Sequence, residues 1–129
     1  MDAVEDQNRR LLRARDAMDA AYAEPLDVAQ LAAIAHVSSA HFIRIFKATF
    51  GETPHRYLQR RRIERACALL RDTDQPVTEI CLAVGFTSLS TFTRTFGAVV
   101  GETPTAHRQR AATPSPVPTC FVKAWRRPA

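Results

Sequence analysis

One tract of this chain is written twice. FIRIFKATFGETP at residues 42–54 and FTRTFGAVVGETP at 92–104 agree at eight of thirteen positions. The likeness reaches upstream, where VAQLAAIAHVSS (28–39) parallels VTEICLAVGFTS (77–88), with one extra residue in the second copy just before its Phe-containing helix. Self-similarity of this kind means one structural unit built twice, so the fold is expected to be a tandem. In the first copy Val28, Leu31, Ala32, Ile34 and Ala35 recur at helical spacing, and that helix is expected to stop near His36. Asp27 can cap it with Gln30 in the capping-box position. Ser38 or Ser39 offers a second cap, before a stripe of Phe42, Ile45, Phe46, Thr49 and Phe50 that Gly51 closes. Short helix, tight turn and short helix make a helix-turn-helix.

Both copies end in Gly-Glu-Thr-Pro. Gly closes one helix, Thr53 or Thr103 caps the next, and Pro54 or Pro104 takes the first helical position, where its missing N–H costs nothing. The helix after Pro54 is expected to run to about residue 72, with Tyr57, Leu58, Ile63, Ala66, Cys67 and Leu70 buried, and to fray before Pro76. Roughly 18 residues at about 1.5 Å each make a rod of about 27 Å. That is of the order of the ~34 Å turn of a DNA duplex. Ahead of the first copy, residues 7–23 read as an Arg-rich amphipathic helix carrying Leu11, Leu12, Ala14, Met18, Ala21 and Tyr22. Past Arg110 the composition changes to TPSPVPTCFVKAWRRPA, a proline-rich tail expected to be extended.

Charge narrows the function. The chain holds 18 Lys and Arg against 13 Asp and Glu, a net charge of +5, and 16 of the cations are Arg. Arg presents a planar fork that pairs with phosphate and with guanine edges as a Lys ammonium cannot. Cys67, Cys81 and Cys120 form no CxxC pair, which is expected of reduced thiols in a cytoplasmic protein. His36, His41, His55 and His107 lack metal-ligand spacing, so neither a metal nor a cofactor is expected. No leader-like start and no membrane-length apolar run is present. An enzyme is not expected, because there is no phosphate-binding Gly loop and no nucleophile with a recognisable base.

The segment RRRIERACALLRDTDQPVTEICLAVGFTSLSTFTRTFGAVVGETPTAHR, residues 60–108, resembles the signature of the AraC/XylS family of transcription regulators. Ile63, Ala66, Leu69 and Leu70 carry the likeness, followed by Ile80, Gly85, Phe86, Ser88, Phe92, Arg94, Phe96, Gly101, Thr103 and Pro104. The resemblance covers about residues 7–110 and is closest to the single-domain members. It implies an all-α fold of seven helices, with a first helix-turn-helix at about 27–50, a linker helix at about 54–72 and a second helix-turn-helix at about 77–99, followed by the tail at 111–129. It also implies promoter regulation, with the second helix of each unit, about 39–50 and 88–99, in the major groove. Gly97, His107 and Leu89 depart from the family pattern, where a basic or polar residue, Tyr and a polar residue are usual.

A helical wheel selects the reading faces. With Phe42 pointing inward and about 100° per residue, Ile45, Phe46 and Thr49 stay on the core side while Ala40, Ile43, Arg44 and Lys47 turn outward. In the second unit Phe92 and Phe96 point inward and Ser90, Thr93, Arg94 and Gly97 outward. Arg44 and Arg94 thus take equivalent positions, fifty residues apart. Each can bond guanine O6 and N7 or merely neutralise phosphate, and Ile43 can pack on a thymine methyl or lie at the edge of the core. Ser39 and Ser88, near the helix starts, complete the candidate DNA-binding set, as caps or as phosphate contacts. Arg60, Arg61, Arg62 and Arg65 meet phosphate, acidic neighbours or solvent.

The expected partner is double-stranded promoter DNA bound by a monomer, with RNA polymerase as a second partner and the cytoplasmic nucleoid as the location. An activator is favoured. Two other readings stay open: the DNA-binding part of an effector-responsive regulator that needs a sensor domain, and a non-specific architectural DNA binder.

Overall fold

The structure is a computed structural model that describes residues 2–112. Residues 113–129, with Cys120, Phe121, Val122 and Trp125, lie outside the described residues; of the tail expected at 111–129, Ala111 is instead the last residue of the final described helix, which Ala112 caps. Among those described there are seven helices and no strand: α1 (Ala3–Ala20), α2 (Val28–Ile34), α3 (Ser39–Phe50), α4 (Pro54–Asp72), α5 (Val77–Ala83), α6 (Leu89–Val100) and α7 (Pro104–Ala111). They fall into two compact units that divide between Leu58 and Gln59, within α4.

The first unit is closed by aromatic rings. Phe42 and Phe46 are fully buried and sit 5.6 Å apart, and Phe46 meets Phe50 at 4.7 Å and Tyr57 at 5.8 Å. Leu11, Ala14 and Met18 of α1 and Leu31, Ala32 and Ala35 in and after α2 complete the core. Burying one such ring stabilises by about 1.5–3 kcal/mol. Tyr57 keeps its polar end satisfied by donating its hydroxyl to Asp19 Oδ1 at 2.7 Å, and Arg15 lies over the Phe50 ring at 4.6 Å. α1 begins four residues ahead of the expected 7–23 span, because Asp2 accepts a hydrogen bond from the Glu5 N–H at 2.8 Å and caps the helix there. It also ends earlier, at Ala20, which leaves Ala21 exposed, and Leu12 is on its outer side.

The second unit repeats the plan. Phe92 lies 5.3 Å from Phe86 and 5.8 Å from Phe96, and Phe96 meets the His107 ring at 5.7 Å, in the position that Tyr57 holds in the first unit. His107 Nδ1 is 3.0 Å from Glu102 Oε1, which also accepts from Arg110 at 2.9 Å. At the end of α4, where carbonyls lose their helical partners, Arg108 of α7 donates to Leu70 O at 3.1 Å and to Thr73 O at 3.3 Å. Cys67 and Cys81 are buried inside this core and form no disulfide among the described residues. Burial pushes the Cys81 thiol above its ordinary value, so it stays protonated and inert.

The arginine cluster at the start of this unit is not a solvated face. Arg60 is buried and donates to Glu64 at 2.7 Å, while Arg61 lies 3.6 Å from the same carboxylate. Arg62 is also buried, 5.9 Å from the Phe86 ring, and loss of water lowers its guanidinium pKa from the usual value. Only Arg65 of the four is exposed.

The two tight turns share one hydrogen-bond pattern. Val37 N–H donates to Ala32 O and His36 N–H to Ala33 O; in the second unit Phe86 N–H donates to Cys81 O and Gly85 N–H to Leu82 O, all at 3.0–3.1 Å. This Schellman closure needs a left-handed residue. Gly85 supplies it at φ 102°, but in the first unit His36 is forced to φ 61°. A side chain in that region costs roughly 1–2 kcal/mol. His36→Gly is therefore expected to stabilise the protein by about 0.5–1 kcal/mol in denaturant unfolding, once the greater freedom of unfolded glycine is deducted. A destabilised variant would show that the exposed imidazole contributes contacts beyond the turn. Gly97, by contrast, sits inside α6 without a positive φ, where glycine costs about 0.5–1 kcal/mol relative to alanine.

Candidate nucleic-acid interface

Each second helix is held in phase by local chemistry. Ser38 caps α3 by accepting from His41 N–H at 3.2 Å, and Ser88 caps α6 by accepting from Thr91 N–H at 3.2 Å. Gly51 at φ 82° and Gly101 at φ 90° end the two helices. With Phe42 and Phe46, or Phe92 and Phe96, turned into the core, the opposite side of each helix has to face solvent.

On α3 the exposed residues include Ser39, Ala40, Ile43, Arg44 and Lys47. Ile43 is 39% exposed, an apolar side chain flanked by two cations. The Arg44 guanidinium lies 3.5 Å from His41 Nδ1. Thr49, expected on the core side, is exposed: the wheel puts it within about 20° of Phe42, but it stands in the last turn of α3, one residue before the helix ends at Phe50. On α6 Ser90, Thr93 and Arg94 are exposed and Gly97 is half-buried. Arg94 has no hydrogen bond or ion pair among the described residues. Neither helix contains an acidic residue, so the two faces present cations uncompensated by their own helix: Arg44 and Lys47 on one, Arg94 on the other.

Ser39 and Ser88 are not equivalent. Ser88 is the cap of α6, half-buried, with its hydroxyl 3.0 Å from that of Ser90. Its counterpart is Ser38, whereas Ser39 is the first residue of α3 and corresponds to Leu89, which is 45% exposed. The residue added in the second copy is Thr87, ahead of the cap. Leu82 on α5, 66% exposed, was not singled out by the sequence pattern; its counterpart is Ala33, and only that comparison signals it. Among the described residues no group of His, Cys, Asp or Glu is arranged to hold a metal, and no helix is long and apolar enough to cross a membrane.

This geometry has clear relatives. The helix-turn-helix domain family matches residues 31–110. A transcriptional regulator from Chromobacterium violaceum, described by its AraC-type DNA-binding domain, superposes with a TM-score of 0.77 at 32% identity, over 84% of this chain and 96% of that one. The DNA-binding domain of the global transcriptional factor AdpA, solved in complex with a target DNA, gives a TM-score of 0.73 at 30% identity, over 78% and 90% of the two chains. The MmsAB operon regulatory protein of Pseudomonas aeruginosa is 40% identical over 61 residues, 47% of this chain but only 20% of that protein. The chain spans 20–27% of the length of the curated relatives it matches.

Among the described residues, seven helices with two helix-turn-helix units and one long helix define a tandem DNA-binding module. The chain belongs to the AraC/XylS family of transcriptional regulators.

Proposed function

We propose that this protein is a sequence-specific transcription regulator, acting as an activator, which binds promoter DNA as a monomer with α3 and α6 in successive major grooves. The observation that carries the reading is the pairing of Arg44 with Arg94, both exposed at the same position of the second helix in each unit. A duplicated unit within one chain replaces the two subunits of an ordinary dimer and suits an asymmetric site of roughly 20 base pairs.

In this reading Arg44 and Arg94 each bond O6 and N7 of a guanine, and Ile43 and the Thr93 methyl pack on thymine methyls. Ser39, Ala40, Ser88 and Ser90 lie at the helix starts, where backbone N–H groups and hydroxyls meet phosphate. Lys47 neutralises a phosphate. RNA polymerase is the second partner, and the cytoplasmic nucleoid is where the protein acts. We assign it binding and no catalytic step. The solved AdpA domain with its target DNA supports the duplex as the ligand. The test is competition: a selected duplex has to outcompete random duplex by orders of magnitude, and equal competition would make the protein an architectural binder.

A second reading has its own observation. The curated relatives are several times longer than the matched segment, which favours a DNA-binding part that answers to a sensor domain. Expression of this chain alone activating a reporter promoter supports the self-sufficient form; activation only with a partner supports the other.

Lys47 gives a quantitative prediction. Lys47→Ala is expected to weaken binding by a similar factor on every sequence and to reduce the slope of log affinity against log salt by about 1. A titration series over several salt concentrations checks it, and an unchanged slope would remove Lys47 from the phosphate contacts.

A further inference from the structure

Gly97 has no reason to be glycine within the described protein. Its backbone is not among the left-handed glycines, which are Gly51, Gly85 and Gly101, so no turn requires it. A Cβ built on it would meet nothing within 4 Å, so no close packing requires it either. It lies well inside α6, where glycine weakens the helix. With both internal reasons removed, an external one is left.

Its position indicates what that is. Gly97 follows Ser90, Thr93 and Arg94 by seven, four and three residues and therefore shares their face. The corresponding residue of α3 is Lys47, an exposed long side chain. In a recognition helix the N-terminal residues reach base edges, so a residue in the C-terminal half of the same face lies toward the groove wall.

We propose that Gly97 is a positioning residue, the point where the sugar–phosphate backbone of the second half-site packs directly on α6. This rests on the DNA-reading function proposed above. Glycine allows a ligand to approach the main chain at a distance that any side chain would block. The bare backbone lets α6 settle deeper in its groove, which brings Arg94 within reach of the base edge.

The test separates fold from binding because the two move in opposite directions. Gly97→Ala is expected to reduce the unfolding equilibrium constant by about two- to fivefold. At the same time its affinity for the selected duplex is expected to fall about fivefold, the size of one weakened base-edge contact. Gly97→Leu, a bulkier residue that still favours helix, is expected to bind more weakly than the alanine variant while remaining folded. In footprinting the loss should be confined to the half-site that Arg94→Ala alters. Alanine and leucine variants that bind as tightly as the native protein would overturn the assignment while leaving the DNA-reading function intact. Native protein that selects no duplex would overturn both.

Discussion

Phe96→Ala is expected to destabilise the second unit by about 3–5 kcal/mol, the range for truncating a fully buried ring. The ring has no solvent exposure, lies tilted against Phe92 at 5.8 Å and meets the His107 ring edge-on at 5.7 Å. Removing it leaves a cavity between α6 and α7, lined by groups held in place by their own helices and unable to collapse into it. Since a whole domain is stable by only about 5–15 kcal/mol, the loss consumes much of what holds α5 to α7 together. Denaturant unfolding measures the size, and amide exchange locates it: protection should fall in α5, α6 and α7. A loss below about 1 kcal/mol would mean that α6 is anchored by something other than its phenylalanine pair.

Arg44→Ala and Arg94→Ala are each expected to cost about 1–3 kcal/mol in binding to the selected site, roughly 5- to 150-fold, and to relax base preference at one position. The two residues lie in different units and share no hydrogen-bond or ion-pair partner among the described residues, so their effects should add, and the double variant should lose about 2–6 kcal/mol. Neither change should alter folding, because both side chains are exposed. If either variant instead weakens all sequences equally and lowers the salt slope by about 1, that arginine contacts phosphate and reads no base.

Much of the fold is legible in the sequence because its punctuation is local. A cap bonds three residues ahead and a glycine closes four residues back, so Asp27, Ser38, Thr53, Ser88, Thr103, Gly51 and Gly101 mark boundaries without knowledge of the tertiary structure. The outward faces are legible for the same reason, since two phenylalanines four residues apart set the phase of each helix. What is missed lies at longer range. The burial of Arg60 and Arg62, and the capping of α4 by Arg108 across 38 residues, depend on what packs nearby. Thr49 is misplaced because a wheel fixes direction but not how far along the helix the core reaches, and Thr49 stands in the last turn of α3. The Ser39–Ser88 pairing fails because an alignment cannot tell on which side of the cap the additional residue falls. The strain at His36 is visible only through its counterpart Gly85.

The most direct test of the account is selection from a randomised duplex pool, sequenced for the native protein, Arg44→Ala and Arg94→Ala. The predicted result is one asymmetric motif with two half-sites about one helical turn apart, the first arginine changing one half and the second arginine the other. A palindromic motif, or enrichment that neither substitution changes, would contradict the claim that each unit reads its own half-site.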